Sequence, residues 1–373
     1  MTNKGLRYLR WGLLAAILVY ITVAAFLHQQ SGPEKAASIH ALCPYGGLET
    51  LYSLMFSGSF VKKIFSGTMV LLVLSLIITL LFRRSFCGLL CPFGALQEFF
   101  AKLGQKVLGK RYTMPDKIDI PLRYLKYLVL LITLLGAWIT GTLWMSPYDP
   151  YAAYAHLSAG FTELAEEYFI GLILLVVTVI GSFVYDRFFC KYLCPAGAFY
   201  GILGKLSPNK VERNEAKCIH CRLCSKSCPV NIDVEKATTV TTAECINCQE
   251  CVNVCPQNGA IAIKQGKKEI PALAVIGLVM GIFFGGILVA QATGFYKTLP
   301  APVTEGSIVN VEEIRGSMTL ADVAKGTGLS QDVLYKKLGI PENVPPETRL
   351  KDVSQYVEGF SPETARELLR QTP

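Results

Sequence analysis

Eight of the thirteen cysteines fall in two runs, CIHCRLCSKSCP (Cys218 to Pro229) and CINCQECVNVCP (Cys245 to Pro256). Each reads C-x2-C-x2-C-x3-C-P, a spacing at which three thiolates wrap one face of an iron-sulfur cube and a fourth, from the far end of the other run, closes it. That assigns Cys218, Cys221, Cys224 and Cys255 to one [4Fe-4S] cluster, and Cys245, Cys248, Cys251 and Cys228 to a second. Zinc is the competing reading, but it takes its ligands in pairs and does not account for the doubled C-P ending. Eight thiols kept reduced also point to a reducing compartment.

Four more cysteines lie in FCGLLCPFGA (Phe86 to Ala95) and FCKYLCPAGA (Phe189 to Ala198), 103 residues apart. On a helix, residues four apart share a face, so Cys87/Cys91 and Cys190/Cys194 are each expected to form a two-thiolate claw. Pro92 and Pro195, with Gly94 and Gly197, break or restart the helix just after it. Brought together, four thiolates hold one further iron-sulfur cluster; separate thiol or copper sites and inert burial of small apolar side chains are the alternatives. Cys43, with His40 and His156, forms a candidate outer metal site, since Cys and His ligate copper or haem, against the competing reading of interfacial histidines. Covalent c-type haem is not indicated, because no C-x-x-C-H is present. No side chain presents itself as a catalytic acid, base or nucleophile, so the chemistry belongs to cofactors.

The elements that must position these groups are apolar. Of 373 residues, 51% are hydrophobic, and they concentrate in five blocks of about the 20-residue length that crosses hydrocarbon: Trp11 to Leu27, Gly67 to Phe82, Tyr124 to Trp144, Tyr168 to Tyr185 and Ala272 to Phe295. A signal peptide competes for the first block, but His28-Gln29-Gln30 is a poor cleavage context. Basic loops stay cytoplasmic. Arg83, Arg84, Lys102, Lys106, Lys110, Arg111, Lys117, Arg123 and Lys126 therefore put the loop after the second block inside, while Met145 to Glu167, with no Lys or Arg, faces out. Lys62 and Lys63 lie on the predicted outer side and count against this. Topology accounts for much of the net charge of +8, so nucleic acid is not an expected partner.

The motifs belong to a longer duplication. RRSFCGLLCPFGALQEFFAKLG aligns with YDRFFCKYLCPAGAFYGILGKLS after one offset residue, and CPYGGLETL (Cys43 to Leu51) resembles DPYAAYAHL (Asp149 to Leu157). The expected fold class is an integral membrane α-helical bundle of five spans, the first four a two-fold internal repeat, with an inserted α+β two-cluster ferredoxin domain and a small all-α carboxy-terminal domain. The expected boundaries are 1–205 for the four duplicated spans, 206–268 for the ferredoxin, 269–296 for the fifth span and 297–373 for the terminal domain. Gly277, Gly281 and Gly285 form a small-residue face suited to close helix packing. In the tail, Thr319, Ser330 and Ser361 are helix-start signals; LADVAKGTGLSQDVLYKKLG superficially matches a helix-turn-helix reader, but the tail is acidic and on the outer side, so a docking module is preferred.

With its twin CxxxCP motifs at Cys87/Cys91 and Cys190/Cys194 and its paired ferredoxin motif from Cys218 to Cys255, the chain resembles the NapH/NosR-type membrane iron-sulfur proteins, over roughly residues 1 to 266. That group includes a copper-reducing assembly factor of cytochrome oxidase. The resemblance implies membrane electron transfer, with a quinol or a cytoplasmic donor at one end and an extracytoplasmic redox partner at the other, expected to be a flavoprotein or cytochrome; the direction of flow is left open. It fits a quinol-dehydrogenase-type component of an oxidoreductase complex in the cytoplasmic membrane, with the amino terminus and ferredoxin inside and the carboxy terminus outside. The alternative is a copper reductase or maturation factor for a respiratory oxidase. Two departures leave the partner open: no NosR-like amino-terminal flavin-binding domain, and a fifth span and tail beyond the NapH pattern.

Overall fold

The computed structural model describes residues 3–31, 42–48, 66–140, 144–266, 268–298, 314, 316, 318–357 and 359–370. The chain divides into two units, Met1–Gln30 with Ala37–Thr298, and Ser31–Ala36 with Leu299–Pro373. His40, Lys62 and Lys63 lie outside the described residues, as does the end of the CPYGGLETL match.

In the first unit, α1 (Asn3–Ser31) and α2 (Ser66–Phe82) are apolar helices. A short α3 (Ser85–Leu89) leads to α4 (Pro92–Leu108) and to the long α5 (Asp116–Thr140). The second copy runs through α6 (Pro150–Ala155), α7 (Phe161–Glu167), α8 (Phe169–Val184), α9 (Phe188–Tyr192) and α10 (Pro195–Gly204). After the ferredoxin segment, with its short helices α11 (Leu223–Lys226) and α12 (Glu250–Val254), comes α13 (Ala272–Ala292). Among the described residues, three helices, within α1, α5 and α13, are long and apolar enough to cross a membrane. The shorter apolar helices α2 and α8 have 17 and 16 described residues. Val19, Ile139, Ile180 and Val289 stand more than half exposed on these helices, an outer surface that water does not favour and lipid does.

The chain reverses after both short helices. Arg83 (φ 59°) and Arg187 (φ 52°) take the left-handed conformation there, which costs a non-glycine residue about 1–2 kcal/mol. The turn comes one residue later, relative to the cysteines, in the second copy. Gly286 of α13 packs so tightly on Leu74 of α2 that a Cβ there would overlap it, whereas nothing lies within 4 Å of Gly277, Gly281 or Gly285. The expected close-packing face is thus not the one used inside this chain: the helix meets its neighbour through the glycine next to the stripe.

The ferredoxin segment is a four-stranded antiparallel sheet in the order β2-β1-β3-β4, with β1 (Asn209–Arg213), β2 (Thr239–Val240), β3 (Ile261–Gln265) and β4 (Lys268–Ile270). Val211 pairs with Ile263 and Arg213 with Ile261, so Val211, Ile261 and Ile263 turn to one buried face. It is seated on the helices by polar contacts that turn-end arginines supply. Arg83 bonds the Val240 and Thr242 carbonyls, Arg84 the Ala243 carbonyl (3.0 Å), and Asn247 reaches Phe82 O (3.0 Å) and Ser85 Oγ (2.9 Å). Lys126 Nζ clasps both oxygens of Glu244 at 2.5 and 2.6 Å.

The second unit holds α14 (Leu320–Thr327), α15 (Gln331–Leu338) and α16 (Pro362–Arg370), each beginning one residue after Thr319, Ser330 or Ser361. Thr319 and Asp322 close a capping box, and Gly328 (φ 70°) and Gly339 (φ 65°) end the first two helices in the left-handed region that glycine tolerates. Leu320, Val323, Leu334, Leu350 and Val353 form its fully buried core.

Candidate functional site

In each ferredoxin run, the residues beside the second cysteine are left-handed: His220 (52°) and Arg222 (61°) in the first, Asn247 (47°) and Gln249 (66°) in the second. Such strain at bulky residues marks a functional constraint, and alternating left- and right-handed residues turn successive N–H groups into a concave, anion-binding nest. Cys228, Cys245, Cys248 and Cys251 all line one cavity, together with Val211, Val240, Ile246, Asn247 and Gln249. Of the other four, Cys221 is exposed, Cys218 and Cys255 are half-buried and Cys224 is buried, and burial raises Cys255 above the usual thiol range, with Cys221 and Cys218 among its neighbours. These thiols, nests and cavity suit iron-sulfur clusters.

The CxxxCP stretches do not form claws on one helical face. Cys87 lies in α3, but the helix ends at Leu90, and Cys91 is extended (φ −70°, ψ 116°) as the N-cap of α4, its Sγ accepting from Gly94 N at 3.4 Å. Cys194 repeats this before α10 (φ −70°, ψ 110°), accepting from Gly197 N at 3.2 Å. The break follows from Pro92 and Pro195, which suit the first helical position and leave the preceding residue extended. Even so, the two copies converge. Burial pushes Cys91 up, with Cys190 and Cys87 the next causes, and burial with Cys190, Cys87 and Cys91 does the same to Cys194. Gln97 of the first copy donates to Cys190 Sγ at 3.1 Å.

Two arginines are exchanged across this junction. Arg187 donates to Cys87 O at 2.6 Å and lies 2.7 Å from where a Gly94 Cβ would sit; Arg84 lies 2.7 Å from the corresponding point on Gly197. Each C-P-x-G glycine therefore makes room for the other copy's guanidinium. Glu98 Oε1 accepts from Arg187 Nε (2.7 Å) and Arg10 Nη2 (2.5 Å), and Arg10 continues to Glu250 (3.0 Å) and Gly88 O (3.1 Å). Burial alone would raise the Glu98 carboxyl, but Arg10 and Arg187 outweigh it and hold it at about 2. The buried cations Arg10, Arg84, Arg187 and Lys126 face the buried carboxylates Glu98, Glu244 and Glu250, a surplus of positive charge that buried groups do not carry without compensation. Four thiolates around an iron core provide it, so these residues fit such a centre.

Gly88, between Cys87 and Cys91, meets the ferredoxin directly: its own Cβ would overlap Ile246 O and stand 3.3 Å from Cys248 Cα and N. The equivalent position in the second copy is Lys191, fully buried. Cys91, Cys194 and Cys43 all lie against one apolar core that holds Phe93 of α4, Tyr151 of α6 and Leu175 of α8.

His156 stacks on Tyr168 (4.3 Å) and bonds Gln29 through Nδ1 at 3.0 Å, while Cys43 lies against the core that Cys91 also joins. Among the described residues no group of three His, Cys, Asp or Glu could hold a single metal ion; His40, the third residue of the expected outer site, lies outside them. Arg84, Arg187, Glu98, Gln97 and Gly88 were not singled out by sequence reasoning as site residues; the signal for the arginines was an Arg three before the first cysteine of both motifs and a Gly three after the second.

Residues 67–111 and 168–214 match a family model described as a 4Fe-4S binding domain, and residues 210–256 one described as a 4Fe-4S dicluster domain. No solved structure matches the chain. It is similar to YccM of Escherichia coli K12, provisionally named an electron transport protein: 33% identical over 311 residues, 78% of this chain and 85% of the relative. It is also similar to the ferredoxin-type protein NapH of Haemophilus influenzae (32% over 159 residues, 42% of this chain, 51% of the relative) and the regulatory protein NosR of Pseudomonas aeruginosa (31% over 152 residues, 40% and 20%). With 4Fe-4S domains, a seat for them on apolar helices, and one relative matched across most of its length, the chain belongs to the NapH/NosR-type family of membrane 4Fe-4S electron-transfer proteins.

Proposed function

We propose that the protein is a subunit that moves electrons between a cytoplasmic or quinone-pool donor and an extracytoplasmic flavoprotein or cytochrome. In this reading Cys218, Cys221, Cys224 and Cys255 hold one [4Fe-4S] cluster, Cys245, Cys248, Cys251 and Cys228 a second, and Cys87, Cys91, Cys190 and Cys194 a further iron-sulfur centre. The observation that carries it is the convergence of those last four thiols, from both copies, beside surplus buried cations and against the backbone of Cys248. Bound clusters supply one-electron chemistry without a proton. The chain's own residues fix their geometry. Cys91 and Cys194 cap helices that lock their backbones, and Gly88 lets Cys248 approach without an intervening side chain.

In the same reading the chain crosses the cytoplasmic membrane five times, at α1, α2, α5, α8 and α13, with the amino terminus and ferredoxin inside and the acidic terminal unit outside as a docking module. The basic loop of residues 83–126 supports that orientation. Iron per chain in anaerobically purified protein tests the proposal. Two [4Fe-4S] clusters give about eight irons and a further cluster about ten to twelve; Cys87→Ser with Cys190→Ser brings the count back to about eight. A wild-type count of eight, or a count unmoved by the substitutions, sinks the third centre.

A further inference from the structure

The two exchanged arginines are alike in sequence position and unlike in charge balance. Arg187 is held by Glu98 through Nε at 2.7 Å and Nη2 at 2.5 Å, so its charge is met within its own bundle. Glu98 has no counterpart in the second copy, where Gly201 stands in its place. Arg84 is therefore left with the Ala243 carbonyl at 3.0 Å and, 3.9 Å away, a Glu244 oxygen whose carboxylate Lys126 already clasps. Its Nε has no hydrogen-bond partner, and the residue is 2% exposed. A guanidinium this deeply buried and this poorly paired needs an anion close by. Its Nη2 lies 2.7 Å from where a Gly197 Cβ would sit, and the Cys190 carbonyl and Cys194 Cβ lie 3.3 and 3.4 Å from that same point; Cys87, Glu244, Cys194 and Cys190 are the neighbours that counter the effect of burial on it.

We propose that Arg84 is the counter-charge of the centre held by Cys87, Cys91, Cys190 and Cys194, and that its buried positive charge raises that centre's midpoint potential. This rests on the assignment of a cluster to those four cysteines. Reduction adds one electron and one negative charge to the site, with no bond made or broken; a fixed cation beside it favours the reduced form, net charge being one of the levers that set iron-sulfur potentials. Arg187, neutralised by Glu98, contributes less. Arg84 is thus a positioning residue for charge, and the duplicated motif is electrically one-sided.

The test is a redox titration of the full-length protein with dithionite in detergent, following each iron-sulfur signal by electron paramagnetic resonance, with iron counted per chain. Arg84→Gln removes the charge and Arg84→Lys keeps it. The expected result is a third-centre midpoint at least tenfold less favourable to reduction in Arg84→Gln, about 59 mV for one electron, with Arg84→Lys close to wild type. A midpoint unmoved in an Arg84→Gln protein that keeps its iron overturns the inference. If Arg84→Gln loses the third centre, Arg84→Lys decides: retained iron at the wild-type midpoint supports charge, and loss there too overturns it in favour of shape. A wild-type count of about eight irons overturns the cluster assignment itself, and the inference with it.

Discussion

Replacing Glu98 by Gln keeps the side chain's shape and removes the one carboxylate that serves both Arg10 and Arg187. Arg10 retains Glu250 at 3.0 Å; Arg187 keeps only the neutral Cys87 carbonyl and becomes a buried, unpaired charge. Two routes give the size of the loss. Held at about 2 from 4.5, the carboxyl gains about 3 kcal/mol from its surroundings at 1.36 kcal/mol per pKa unit. Removing one partner of a buried ion pair costs about 3–5 kcal/mol. The agreement predicts a fall in apparent melting temperature of roughly 5–15 °C, at about 2–4 °C per kcal/mol for chains somewhat smaller than this. Circular dichroism melting in detergent micelles measures it. Because the folded-state pKa is depressed, this stabilisation is complete above about 4.5 and is lost as pH falls through about 2. The difference between variant and wild type is therefore constant from about pH 5 to 8 and closes only toward pH 2. A shift under about 2 °C, or a difference that closes above pH 5, refutes the claim that Glu98 holds the two arginines.

Other substitutions probe separate parts of the molecule. Gly88→Ala puts a methyl into the Ile246 carbonyl, which no rotamer change relieves; such overpacking costs about 1–3 kcal/mol. It is expected to lift the ferredoxin from its seat and slow electron equilibration between ferredoxin and membrane centre in flash reduction, whereas Gly277→Ala, with nothing within 4 Å, changes nothing. Equal rates in the two variants contradict the contact. In the second unit, Thr319→Ala removes the capping box of Leu320–Thr327 at a cost of about 1 kcal/mol, read in the full chain as about fivefold faster amide exchange at Asp322; unchanged exchange there refutes the cap.

Much of this was legible in the chain because it is local. The ferredoxin spacing, the helix starts at Thr319, Ser330 and Ser361, and the apolar blocks depend on residues near one another in the chain, and near-neighbour chemistry reports them faithfully. The two-thiolate claw failed for an equally local reason given too little weight: a proline at the first helical position makes the cysteine before it an extended cap, so four-residue spacing no longer means one face.

The sequence by itself determined which groups carry the chemistry, eight thiols in one pattern and four in another, and that apolar helices hold them. Only the tertiary structure decided what surrounds them. Arg83 and Arg84 read as loop charges that orient a membrane protein, and Arg187 and Glu98 as nothing in particular. Folding buried all four, brought Arg84, Arg187 and Glu98 to the thiols, and left Arg84 with a carboxylate that Lys126 already clasps. The physical reason is that a charge's effect depends on its distance from other charges and on the medium between them, and both are fixed only when segments about a hundred residues apart in the chain are packed together.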